Sequence, residues 1–141
     1  MSPLPPGGQP DLYRLAQNHL ERARRAASKD PVDWTDLTVY GFYCLEVALK
    51  AAAEHLGTRF ATSHSRKAQI ALEFAANHNL PDVSTLLTDL NEARKATGYG
   101  DVSIPPMDSD DLLAQLEGYV SAVVQLLAAD DDPDDGGLDA S

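Results

Sequence analysis

An all-α, antiparallel bundle of four to five helices is the fold this sequence predicts, and three observations predict it. Apolar residues recur at spacings of three and four through five segments separated by short breaks. No segment alternates apolar and polar residues as a half-buried strand does. The chain has 141 residues, 43% of them hydrophobic and 23% charged, which suits one globular domain and is too short for two.

The first helix is expected over residues 11–29, where Leu12, Leu15, Ala16, His19, Leu20 and Ala23 form the apolar stripe. Asp11 is placed to cap it and Asp30-Pro31 to end it. Its outer face carries Arg14, Glu21, Arg22, Arg24 and Arg25. The second helix, from about Thr35 to Leu56, stops at Gly57. It is apolar nearly all round, with Tyr40, Tyr43, Cys44, Val47, Ala48 and Ala51 on one side and Leu45, Leu49, Ala53 and Leu56 on another. Glu46, Lys50 and Glu54 make its narrow polar stripe, and Glu46 before Lys50 is the favourable order for an ion pair. Such a helix is central to its bundle or lies in a subunit interface.

Ser63 is the expected cap of a third helix over 64–78, with Ala68, Ala71, Leu72 and Ala75 inward. Asn77-His78-Asn79-Leu80-Pro81-Asp82 breaks it. The fourth helix, 83–97, turns Leu86, Leu87, Leu90 and Ala93 inward and ends at Gly98-Tyr99-Gly100. After the rigid Ile104-Pro105-Pro106, Ser109 is expected to cap a fifth helix over 109–129, with Leu112, Leu113, Leu116, Tyr119, Val120, Val123, Val124 and Leu127 as its apolar residues. The organisation predicted is a disordered Pro/Gly-rich tail over 1–10, a helical domain over 11–129 and a disordered acidic tail over 130–141.

Charge is distributed unevenly. The net charge is -11, yet residues 11–100 carry 11 basic and 11 acidic side chains, and residues 101–141 carry 11 acids and no base. That balance argues against a bulk, non-specific nucleic-acid binder. The acidic tail serves solubility, or covers a basic groove or meets a basic partner. No apolar run of about 20 residues suggests a membrane span, and no signal-peptide pattern opens the chain, so a cytoplasmic location and no membrane partner are expected. The one cysteine, Cys44, excludes an internal disulfide and reads as a buried thiol. The four His residues, 19, 55, 64 and 78, form no pair spaced for a metal, so neither a metal nor a cofactor is expected. Gly-rich phosphate loops, His-Glu-x-x-His and serine elbows are missing as well.

One short stretch carries chemistry. Leu90-Asn91-Glu92-Ala93-Arg94-Lys95-Ala96-Thr97-Gly98-Tyr99-Gly100-Asp101 sets an Arg on the last turn of a helix and a Tyr just past a Gly break. With Tyr40-Gly41-Phe42-Tyr43-Cys44-Leu45-Glu46-Val47-Ala48-Leu49-Lys50-Ala51 and Ser63-His64-Ser65, it resembles the HEPN superfamily over roughly residues 12–128. The resemblance implies a small helical bundle, often a homodimer, of a kind found in bacterial toxin–antitoxin and defence systems. Many members are metal-independent ribonucleases whose signature is an Arg, a polar residue, a short spacer and a His. Arg94 and Lys95 match the first two places, and Tyr99 stands where the His is expected. An Arg…Tyr-Gly-Asp ending is similar to that of another branch of the superfamily.

A phenol with a reference pKa of ~10 is a poor base at neutral pH. Arg94 can still hold a phosphate or stabilise a pentavalent transition state. His64 is a candidate replacement for the absent His, and Arg66, Lys67, Arg94 and Lys95 are candidate contacts for phosphate or RNA. Structural roles stand beside these: Arg94 as a C-terminal cation pairing with Glu92 or Asp101, Tyr99 as a packed loop anchor, and His64 within a helix-capping loop. Three functional readings follow. The first is a non-catalytic or weakly active module that binds RNA, a nucleotide or a protein near Arg94. The second is a ribonuclease toxin using Arg94 with Tyr99 or His64, for which the resemblance implies a nucleotidyltransferase-type antitoxin partner. The third is a purely structural interaction module.

Overall fold

The computed structural model describes residues 9–60, 63–98 and 107–130, and these form five helices with no strand among them. They are α1 (Gln9–Ala27), α2 (Trp34–His55), α3 (His64–His78), α4 (Ser84–Gly98) and α5 (Ser109–Asp130). The expected all-α bundle is what the chain forms. The expectations for Tyr99 and Asp101, and those for the tails over 1–10 and 130–141 save residues 9, 10 and 130, which are helical, fall outside the described residues.

Helix α2 is the central element. It packs against α1, α5 and α4, while α3 packs on α4. This explains its all-round apolar sequence, because Leu37, Cys44, Leu45, Leu49, Ala51, Ala52 and Ala53 each meet a neighbouring helix and are fully buried. Both α4 and α5 reach Gly41: a Cβ built there would lie 3.4 Å from Leu116 Cδ1 and 3.7 Å from Leu90 Cδ1, in ordinary van der Waals contact with both. Tyr40, Tyr43 and Val47 remain only partly covered, on the outward side of α2.

The chain signals each helix end in a different way. Asp33 Oδ1 accepts from Asp36 N–H at 3.1 Å to start α2. At its other end Thr58 N–H donates to Ala53 O at 2.8 Å and Gly57 N–H to Glu54 O at 3.3 Å, with Gly57 at φ +73°. That pair of bonds is a Schellman cap and requires the left-handed residue. Ser63 caps α3 as expected, accepting from Arg66 N–H at 3.3 Å, and Asn79 ends it at φ 59°. Asp82 Oδ1 accepts from both Ser84 N–H and Ser84 Oγ–H just ahead of α4.

Several local expectations need correction. Helix α1 starts at Gln9, so Asp11 lies in its first turn instead of capping it; Pro10 is tolerated there because first-turn N–H groups have no intrahelical acceptor. The cap of α5 is Asp108, whose Oδ2 accepts from Asp111 N–H at 3.1 Å, and Ser109 is the first helical residue. Leu15 and Leu72 point outward, 42% and 51% exposed. The face that α3 buries is Ile70, Ala71 and Phe74. Glu46 pairs with Lys67 of α3 and not with Lys50, which is exposed. By length and composition Ser109–Ala129 would suffice to cross a membrane, contrary to the expectation of no such run. Its Leu112, Leu116, Tyr119, Val120 and Val123 are committed to the bundle core.

Candidate functional site

Three helices meet around one ring. Phe42, on α2, is buried to 4% exposure and turned toward α3 and α4. The Arg94 guanidinium lies over it, Cζ 4.7 Å from the ring centroid. The His64 imidazole, from the first turn of α3, approaches the same ring at 6.3 Å between centroids, with the planes tilted by 40°. His64, the candidate replacement for the absent His, therefore shares Phe42 with Arg94 as a common floor.

Helix α4 delivers Arg94 by register. Leu87, Leu90, Asn91 and Arg94 follow one another at three- and four-residue intervals, so Asn91 and Arg94 continue the apolar stripe inward. Asn91 is only 3% exposed. Its Oδ1 accepts from Arg94 Nη2 at 2.7 Å, a short charge-assisted bond that fixes the guanidinium plane. Arg94 Nε is buried and has no acceptor among the described residues. The guanidinium is thus held at one corner by a neutral amide and has no carboxylate partner among the described residues.

His64 is held by Thr88, whose Oγ1 lies 3.3 Å from Nε2; Thr88 Oγ1 also donates to Ser84 O at 3.1 Å within α4. The other ring nitrogen, Nδ1, has no partner among the described residues. Burial holds the imidazole below its ordinary pKa, and the cations Lys95, Lys67 and Arg94 add to this while Glu92 opposes it. His64 is therefore neutral at pH 7 and carries a free nitrogen beside a guanidinium.

The expected phosphate contacts divide into two groups. Arg94, Lys95 and Lys67 all act electrostatically on His64 and share its neighbourhood. Lys67 is anchored by Glu46 and lies 5.5 Å from the Phe60 ring centroid, so part of its charge is compensated. Lys95 is exposed and reaches Glu92 at 4.0 Å, a loose pair that water screens. Arg66 runs along α3 to Glu73 at 3.4 Å and does not join the cluster. Tyr99 lies outside the described residues. Arg94 does not adopt the expected carboxylate pairing with Glu92; its partner is the amide of Asn91.

Two members of the site were missed in the sequence. Asn91 carried a signal, since a polar residue on the buried stripe three positions before an Arg is placed to bond it. Phe42 carried none beyond its aromaticity. No group of His, Cys, Asp and Glu among the described residues is arranged to hold a metal ion. What the cluster can do is bind an anion: it offers an oriented guanidinium, two lysines and a neutral imidazole at one place.

No curated protein and no solved structure matches this chain. A family model does, and it spans residues 10–127, nearly the whole helical part of the chain with all of the cluster inside it. That match, on an all-α bundle of five described helices, shows that the chain belongs to the HEPN domain family.

Proposed function

We propose that this chain is an RNA-binding HEPN module that grips a backbone phosphate with Arg94, assisted by Lys95 and Lys67, and that cleaves RNA weakly if at all. The observation that carries this reading is the Arg94 guanidinium, fixed by the neutral amide of Asn91 and without a carboxylate partner among the described residues, beside His64 over Phe42. A guanidinium pre-set in this way spends little entropy on meeting a phosphate and can do so through two parallel bonds. Asn91 neutralises none of its charge. The test is RNA binding by fluorescence anisotropy. Arg94→Ala should lower affinity at least ~10-fold, the loss of one charge-assisted contact, while Arg66→Ala leaves it unchanged. Equal affinities for wild type and Arg94→Ala would leave only the structural-module reading.

One observation favours a second reading, metal-independent cleavage. His64 is neutral and has an unpartnered ring nitrogen near Arg94. A neutral imidazole can take the proton of a 2′-hydroxyl as its oxygen attacks the adjacent phosphorus, and as imidazolium it can return that proton to O5′ as the P–O5′ bond breaks. Cleavage in chelator, abolished by His64→Ala with binding retained, would establish this reading. A nucleotidyltransferase-type antitoxin partner and a homodimer belong to the same proposal. Co-purification with such a partner and light scattering test them.

A further inference from the structure

The Phe42 ring is one end of a longer aromatic and cationic row. Tyr43 lies 6.1 Å from Phe42, centroid to centroid, and His19 of α1 lies 5.6 Å from Tyr43. His19 stacks on Tyr40 at 5.9 Å with the planes 29° apart, and Tyr40 meets Tyr43 edge-on at 6.2 Å. Arg22 closes the far end, its Cζ 4.3 Å from the Tyr40 centroid. Guanidinium groups thus lie over rings at both ends, Arg94 on Phe42 and Arg22 on Tyr40.

Packing alone does not call for this row. The chain has only nine Phe, Trp and Tyr residues, and Tyr40, Phe42 and Tyr43 fall within four positions of α2. Where α2 meets its neighbours it uses chiefly Leu, Ala and Cys, and Phe42 is the one aromatic among its buried residues. Tyr40 and Tyr43 stay half-buried on its outward side, beside an equally half-buried His19. The cation beside them is not compensated. Arg24 and Arg25 on α1 are paired with Glu21, and Arg24 also with Glu117 at 2.8 Å, while Arg22 has no carboxylate partner among the described residues. His19 Nδ1 has no partner among them either. Of the acids on the same side of α2, Glu46 is taken up by Lys67, and Asp36 lies one turn beyond Tyr40.

Rings interleaved with uncompensated cations are the chemistry that holds unpaired bases, with stacking for the base and a guanidinium for the phosphate. We propose that His19, Tyr40 and Tyr43, ended by Arg22, form a stacking track for single-stranded RNA that continues from the Arg94–His64 cluster; this rests on the RNA reading of that cluster. A duplex does not fit, because its base faces are covered by one another. Burial, with Arg22 beside it, holds His19 below its ordinary pKa and therefore neutral at pH 7, so it stacks as an uncharged ring.

The experiment measures anisotropy of labelled oligouridylates, from the mononucleotide to the octanucleotide, and of an RNA duplex. The proteins are wild type, Tyr40→Leu, Tyr43→Leu, Tyr43→Phe, Arg22→Gln and Arg94→Ala, each checked by circular dichroism and light scattering. Wild-type affinity is expected to rise with length for single strands and not for the duplex. Each Tyr→Leu should cost ~10-fold on the octamer, leave the mononucleotide unchanged and thereby flatten the length dependence, while Tyr43→Phe retains it. Arg94→Ala should weaken every length. Failure of wild type to bind any RNA overturns the phosphate reading of Arg94 and the track with it. Binding that needs Arg94 but keeps its length dependence in both Tyr→Leu variants overturns the track alone. A wild-type dimer that Tyr40→Leu splits into monomers assigns the face to a second copy and likewise overturns the track.

Discussion

Asn91 separates the fold from the function within one residue, because two substitutions there move stability and affinity in different orders. Its Oδ1 accepts a 2.7 Å bond from Arg94 Nη2, and the side chain is almost completely buried. Asn91→Ala deletes a bond to a charged donor, worth about 1.5–3 kcal/mol, and leaves a small void. For a domain of this size a loss of about 2 kcal/mol lowers the melting temperature by roughly 8 °C. The freed guanidinium keeps its charge and pays only the ordering of one side chain on binding, about 0.5–1.5 kcal/mol, a loss of roughly 3- to 10-fold in RNA affinity. Asn91→Asp preserves shape and acceptor but sets a carboxylate against Arg94. The fold then stays within about 1 kcal/mol of wild type, since the pairing offsets the carboxylate's desolvation. Phosphate must now compete with that carboxylate, and affinity falls by about 10- to 100-fold. The assays are thermal melting by circular dichroism and RNA anisotropy on the same preparations. The expected crossover is that Ala is the less stable variant and Asp the weaker binder. Wild-type affinity in Asn91→Asp would refute Arg94 as the anion contact, and a wild-type melt in Asn91→Ala would refute the tether.

Three further outcomes follow from the geometry. His64 and His19 both sit below the ordinary imidazole pKa, chiefly through burial, whereas the unfolded chain titrates near ~6.5. Below that pH the unfolded state binds more protons, so urea stability holds above pH ~6.5 and declines as the pH falls from there through the folded values; a steady stability down to pH 5 would contradict this. Gly57→Ala should cost about 1 kcal/mol, because φ is +73° while nothing lies within 4 Å of the added Cβ, so the penalty is backbone strain and not a clash. Cys44 is buried with its thiol pushed up to about 12, so a thiol reagent at pH 8 should label it only after unfolding, and rapid labelling of the native protein would show that α2 opens.

The fold was legible because its determinants are local. Three- and four-residue apolar spacing located all five helices, and Ser63 and Gly57 marked ends that the structure uses, since cap and stop residues act within one turn. What local pattern could not decide was competition between near-equivalent choices. Asp108 outcompetes Ser109 for the α5 cap one residue away. Helix α3 buries Ile70 and Phe74 on its α4 side, which leaves Leu72 outside, and no sequence period fixes which of two adjacent apolar stripes meets the neighbour. Glu46 had an adequate partner four residues on and took Lys67 instead, because a half-buried site strengthens an ion pair and the exposed i,i+4 pair is worth only a few tenths of a kcal/mol.

The site was harder to read because it is assembled from residues 22 to 52 positions apart, Phe42 with His64 and Arg94, and because net charge hides it. Residues 11–100 sum to zero, yet neutrality in the sum is not neutrality in place. Glu21, Glu117, Glu73 and Glu46 cancel Arg24, Arg25, Arg66 and Lys67. Arg94 and Arg22 escape this cancellation. One is bound to a neutral amide, both lie over aromatic rings, and a ring orients a cation without neutralising it. Over a Debye length of about 8 Å the pairs cancelled elsewhere on the bundle contribute almost nothing at these two positions. A protein of net charge -11 can therefore present anion-binding groups along one side of α2, and the chemistry there depends on where the carboxylates are already engaged.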